Sequence, residues 1–131
     1  KPLAIKKSDK CPVCGMFVAM YKNWRAEIIF TDGTYAVFDG PKDMFRYYLD
    51  IKKYNPAKKA SDISNIYVTE YYSTGLMEAR KVFFVQGSDV NGPMGAELVP
   101  LATEAAAKDF MKDHKGSRIL KFSEVTMENL K

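Results

Sequence analysis

Residues 24–49 read WRAEIIFTDGTYAVFDGPKDMFRYYL, and this stretch decides the fold. Residues 24–31 are rich in β-branched and aromatic side chains and predict a strand. Asp32-Gly33 follows, a strong short-range hairpin signal, so residues 34–38 return as the partner strand. Asp39-Gly40-Pro41 ends that strand and opens a helix, with Pro41 at its first position and Asp39 or Gly40 as the cap. Met44, Phe45, Tyr48 and Leu49 then fall on one helical face. The stretch predicts strand, strand, helix.

Working outward, residues 51–62 (IKKYNPAKKASD) are polar, carry Pro56 and predict a linker. Strands are predicted at 66–71, 80–86, 96–101 and 118–122, and a short one at 17–21. Residues 87–95 (GSDVNGPMG) predict a loop. Thr103 caps a helix over 104–114, which Gly116 ends in the left-handed conformation. Each side of the linker thus has a Met-containing glycine loop, strand material and a capped helix with Met and Phe. Divergent duplication would produce this pattern. The predicted class is α+β, with antiparallel strands in two ββα-type halves at about 11–50 and 63–131. Residues 1–10 form a basic leader.

Composition narrows the function. With 131 residues the chain is one ordinary domain, and 47% hydrophobic with 13% aromatic residues excludes a disordered tail. The 20 Lys+Arg exceed the 16 Asp+Glu by four, but the cations are scattered pairs such as Lys6-Lys7, Lys52-Lys53 and Arg80-Lys81. That pattern predicts a solvated surface, not a nucleic-acid patch. No apolar run approaches the roughly 18 residues of a membrane span. The start at Lys1, without Met or an apolar signal region, fits either a processed form or a cytosolic protein.

Chemistry concentrates in the loops. Cys11 and Cys14 are the two cysteines, and a bond between them would close a loop too short to stabilise much. Their CxxC spacing suits zinc, a redox disulfide or a soft monovalent ion. Two cysteines and one histidine do not complete a four-ligand zinc site without a carboxylate. A thioredoxin-like motif belongs between a strand and a helix, and this one precedes the first convincing strand. A plain pair of thiols in a turn remains an alternative.

Met16 shifts the balance. Cys14 and Met16 flank Gly15, and residues two apart in an extended stretch point to the same face. Thioethers are poor ligands for zinc and suit Cu(I). Met94 repeats the arrangement in Gly92-Pro93-Met94-Gly95, a loop where a core methionine is not expected. Met44, Met77 and Met111 read as core gap-fillers. His114, the one histidine, lies in the last helical turn and reads as a cap before it reads as a ligand. No nucleophile–base pair stands out, and the glycine-rich loop precedes a strand, unlike a phosphate loop.

Cys11-Pro12-Val13-Cys14-Gly15-Met16, Phe38-Asp39-Gly40, Gly87-Ser88, Gly92-Pro93-Met94-Gly95 and Glu97-Leu98-Val99-Pro100 stand in this order. Phe110, His114, Gly116 and 122–126 (FSEVT) follow. The ordered set resembles the NosL family, the accessory proteins of nitrous oxide reductase, from about residue 11 to residue 130. The resemblance implies a periplasmic copper chaperone, usually a lipoprotein, held to the outer membrane by a lipid anchor absent from this segment. It implies one bound Cu(I), delivered to the copper sites of nitrous oxide reductase with an ABC-type maturation complex. It implies a single copper-binding domain over 11–131, similar in fold to organomercurial lyase but without that enzyme's chemistry. The family's ligands fall on Cys14, Met16 and Met94; Cys11 and His114 are further candidate donors by residue type, outside what the resemblance implies. The reading is therefore a Cu(I) carrier and not an enzyme. A thiol-disulfide protein using Cys11 and Cys14, or a carrier of another soft metal such as mercury or silver, is the alternative.

Overall fold

The computed structural model describes residues 9–13, 15, 17–20, 22–92 and 95–130. The expected hairpin is present as β1 (Ala26–Phe30) and β2 (Tyr35–Phe38), with Ala26 opposite Phe38 and Ile29 opposite Tyr35. Gly33 takes a φ of 89° in the turn, a conformation that costs glycine little. Asp32 braces the turn by accepting from the Thr34 N–H at 3.0 Å and its hydroxyl at 2.6 Å. The helix follows as α1 (Pro41–Leu49), and a short α2 (Ile51–Tyr54) continues it into the segment expected to be a plain linker.

Beyond that segment come β3 (Ile63–Thr69), β4 (Leu76–Glu78) and β5 (Phe83–Gln86). A two-residue hairpin, β6 (Asn91–Gly92) and β7 (Gly95–Ala96), precedes β8 (Val99–Leu101), α3 (Glu104–Asp113) and β9 (Arg118–Lys121). The strands form a four-stranded antiparallel sheet, β2-β1-β3-β4, and a three-stranded one, β8-β5-β9. The first sheet draws strands from both sides of residues 51–62, because β3 pairs with the free edge of β1 (Ile28 opposite Ile66). The class is α+β.

The sheets share one wall. In β5 successive side chains point to opposite faces. Phe84 meets Phe45 of α1 edge-on at 5.1 Å, in the main core with Ile28, Val68 and Met44. Val85 lies on the other face, in a second core with Val99, Leu101, Ala107 and Phe110 under α3. The Tyr71 N–H donates to the Pro100 carbonyl at 2.9 Å and ties the two sheets together. Among the described residues no helix is long and apolar enough to cross a membrane.

Several local expectations are corrected. Residues 18–20 form a short 3-10 turn, not a strand, and Tyr21 lies outside the described residues. β4 was not anticipated, because its three residues carry too little pattern. Leu49 is 37% exposed, while Tyr47 takes the buried position on α1 against Phe38. Thr103 caps α3 as expected, accepting from the Ala106 N–H at 3.1 Å. The left-handed residue after α3 is Lys115, with φ 60°, not Gly116. Gly116 is required by packing: a Cβ there would stand 2.6 Å from a Val85 methyl.

Candidate metal centre

The first turn of α1 is the meeting point of the two loops that carry the sulfur residues. The first loop is closed at its base by bridge pairing of Lys10 with Phe17 and by the Val18 N–H donating to the Asp9 carbonyl at 3.1 Å. Inside it the Gly15 N–H donates to the Cys11 carbonyl at 2.8 Å, with Gly15 at φ 79°. The Tyr35 hydroxyl holds the loop to β2 by donating to the Asp9 carboxylate at 3.0 Å. Burial and that carboxylate push the Tyr35 phenol up.

Cys11 is buried, and its thiol donates to Asp43 Oδ2 at 3.7 Å. Cys11, Asp39 and Asp43 each offer a ligand atom, and these atoms lie within 4.8 Å of one another. Of Asp39 and Gly40, the two caps expected for α1, the N-cap is Gly40, with no side-chain cap bond. The Asp39 carboxylate is buried beside Cys11 instead. Asp43 Oδ1 accepts from Arg46 Nη1 at 2.7 Å, and Arg46 Nη2 donates to the Leu130 carbonyl at 2.9 Å. The guanidinium thus offsets one buried carboxylate and anchors the C-terminal turn.

The second loop arrives through β6 and β7. Glu97, just after β7, sends Oε1 to the Lys42 N–H at 2.7 Å and to the Leu98 N–H at 3.0 Å. Lys42 Nζ donates to the Ala96 carbonyl at 3.4 Å. A helix N-terminus welcomes a carboxylate, yet burial pushes the Glu97 carboxyl up to about 8, against its two N–H donors and with Asp43 adding to the rise. Burial wins because taking the charge out of water costs more than two hydrogen bonds return. Gly40 makes the contact possible, since a Cβ there would stand 2.0 Å from Glu97 Oε2. Its φ of 179° is extended, so the demand for glycine is one of space.

Cys14, Met16 and Met94, the predicted ligands, lie outside the described residues. Cys11, a further donor, sits in the one group of three close metal-binding side chains found among the described residues. His114 is not in that group. Its Nδ1 lies 2.9 Å from Asp89 Oδ1, its ring stacks on Phe110 at 4.4 Å, and its carbonyl accepts from the Asp89 N–H at 2.8 Å. It ends α3 and pins the start of the glycine-rich loop. Cys11, Asp39 and Asp43 by themselves make a hard donor set with one soft atom, which does not suit Cu(I). A soft site in this region needs further sulfur. Sequence reading missed Asp39, Asp43 and Glu97. The signal for Asp39 and Asp43 was acidic residues beside glycine and proline at a helix start, which a capping role explains equally well; Glu97, between two strands, gave none.

A family model described as NosL matches residues 2–130. The chain belongs to the NosL family. A NosL relative from Stutzerimonas stutzeri, named a copper-binding lipoprotein, is 27% identical over 133 aligned residues, 95% of this chain. The chain spans 66% of that relative's length. The crystal structure of the copper chaperone NosL from Shewanella denitrificans superposes with a TM-score of 0.82. It covers 98% of this chain and 97% of the other at 21% identity, which shows the shared fold. The solution structure of apo-NosL from Achromobacter cycloclastes gives a TM-score of 0.54 at 26% identity, covering 80% and 87% of the two chains. The chain thus has the NosL fold.

Proposed function

We propose that this chain is a copper carrier and not an enzyme. It takes one Cu(I) on Cys14, Met16 and Met94, with Cys11 beside them, and delivers it for assembly of the copper sites of nitrous oxide reductase. The donor set is soft, and loops that can rearrange hand an ion on more readily than a closed four-ligand site. The observation that carries the reading is the convergence of the two loops. Cys11 reaches Asp43 and Glu97 reaches Lys42, so residues flanking both methionine loops attach to one helical turn. Membership of a family whose relatives are named copper-binding supports the cargo. The working location is the periplasm, on a membrane through a lipid anchor, and the partners are the reductase and its ABC-type maturation complex.

The thiol-disulfide alternative is weaker. Reactive cysteines are accessible and sit in electropositive surroundings. Cys11 is 1% exposed and stands beside two carboxylates.

Anaerobic titration of the reduced protein with Cu(I) against a competing chelator tests the cargo. One tightly held Cu(I) per chain is expected. Tight zinc binding with negligible Cu(I) affinity overturns it. Transfer is tested separately, by mixing the loaded protein with copper-free reductase and its maturation complex and following copper into the reductase.

A further inference from the structure

The other end of α1 carries a different surface. A groove of about 460 Å³ opens there, lined by Tyr48 and Leu49 at the end of the helix, by Phe122 and Val125, and by Arg80 and Lys121. Its floor is aromatic: Tyr48 meets Phe122 edge-on at 5.1 Å, and Phe122 rests on Phe45 of the core at 5.1 Å. Leu49 is one of four large apolar side chains exposed among the described residues, and it lies in this groove.

The charge is one-sided. The Arg80 guanidinium lies 5.4 Å from the centre of the Phe122 ring. Of the neighbouring acids, Glu78 pairs with Lys81 at 3.0 Å, and Glu124 does not line the groove but accepts from the Lys121 backbone N–H at 2.7 Å. Among the described residues neither Arg80 nor Lys121 has a carboxylate within ion-pair distance. Two cations thus flank a recess in which Leu49 is exposed, Tyr48 is half-buried and Phe122 is buried at the floor. Lys121 also ends β9, an edge strand of its sheet, along which an extended segment can lie.

We infer that this groove docks an extended acidic peptide segment of a partner protein, its carboxylates meeting Arg80 and Lys121 and an apolar side chain covering Leu49 and Phe122. A membrane surface fits less well. The apolar residues line a recess and do not protrude, and two cations alone attract an anionic leaflet only weakly. The nine residues of α1 put the groove roughly 13 Å from the turn where the two loops meet. Docking there leaves the loops open, and it does not depend on copper.

The test uses the full chain in its metal-free, reduced form. The probe is a fluorescein-labelled hexapeptide of alternating Glu and Leu, followed by fluorescence anisotropy. The parent should bind it, and a Gln–Leu version should bind at least about tenfold more weakly, since the ion pairs are lost. Arg80→Glu and Lys121→Glu change exposed side chains and should each weaken binding by about tenfold with circular dichroism unchanged. Leu49→Ser should weaken it by a smaller factor. Lys108→Glu, on the exposed face of α3, is the control and should leave binding as in the parent. Absence of binding by the parent overturns the inference, as does an equal loss from Lys108→Glu, which would mean general attraction by net charge. It also falls if vesicles of phosphatidylcholine and phosphatidylglycerol capture the parent, Arg80→Glu abolishes the capture, and the peptide does not compete.

Discussion

Glu97 Oε1 accepts the Lys42 N–H at 2.7 Å across 55 residues of sequence, and this bond fastens the exit of the β6–β7 hairpin to the first turn of α1. The turn receives Cys11 through Asp43 from the other loop. A helix start is a rigid support with backbone donors to spare. Two loops tied to it hold their relative position better than two loops tied only to each other.

The raised Glu97 carboxyl makes stability depend on pH. The group titrates near 4.5 when free and at about 8 in the fold. Below the lower value both states hold the proton. Between the two values the unfolded chain releases it and the folded one keeps it, so stability falls as pH rises, by up to about 1.4 kcal/mol per pH unit. Above the folded value the loss levels off. Glu97→Gln keeps an oxygen acceptor for both N–H groups and removes the titration. Urea unfolding of the metal-free protein at about pH 5 and about pH 8 should show a smaller difference for the variant than for the parent.

Gly40→Ala tests the space behind that bond. The added methyl would overlap Glu97 Oε2, and two hydrogen bonds to Oε1 hold the carboxyl group in place. Destabilisation of about 1–3 kcal/mol is expected from such overpacking. The double variant Gly40→Ala with Glu97→Ala should recover part of the steric cost, as a urea-unfolding cycle would reveal.

For the cysteines, Cys14→Ser should weaken Cu(I) binding by more than about a hundredfold, and Cys11→Ser by less, no more than the about 10–100-fold range of a neighbour to a metal ligand. Competition with a Cu(I) chelator measures both. Equal losses would promote Cys11 to a full ligand.

Met94→Leu conserves volume and polarity, so it should cost less than about 1.5 kcal/mol of stability. Cu(I) affinity should nevertheless fall, and X-ray absorption should count one sulfur fewer around the ion. An unchanged affinity and sulfur count would leave the site to the CxxCGM loop alone.

The hairpin, the start of α1 and the cap of α3 were legible because short-range rules fix them: Asp32-Gly33 for the turn, Pro41 for the helix start, Thr103 for the cap. β3's place beside β1 was not legible, since strand pairing across a segment of 24 residues between Phe38 and Ile63 leaves no local trace. Gly116 was read as a conformational need when its reason is the Val85 side chain, which only packing brings near. At the candidate site the soft donors were conspicuous by type and spacing. The buried acids were not, because Asp39 and Asp43 beside a helix start look like solvent-facing caps until Cys11 is folded against them.

The double duty of β5 governs the order in which this chain can be completed. Its two faces serve different helices, and its hydrogen bonds run to β8 on one side and to β9 on the other. β9 is the last strand among the described residues, and the segment after it brings buried Leu130 back to Arg46 on α1. A nascent chain halted before residue 118 therefore keeps β5 with one edge unpaired and lacks Leu120, Phe122 and Leu130 from the main core. During synthesis, then, a transient sticky edge persists until residues 118–130 emerge, and protection from premature association is needed over that interval.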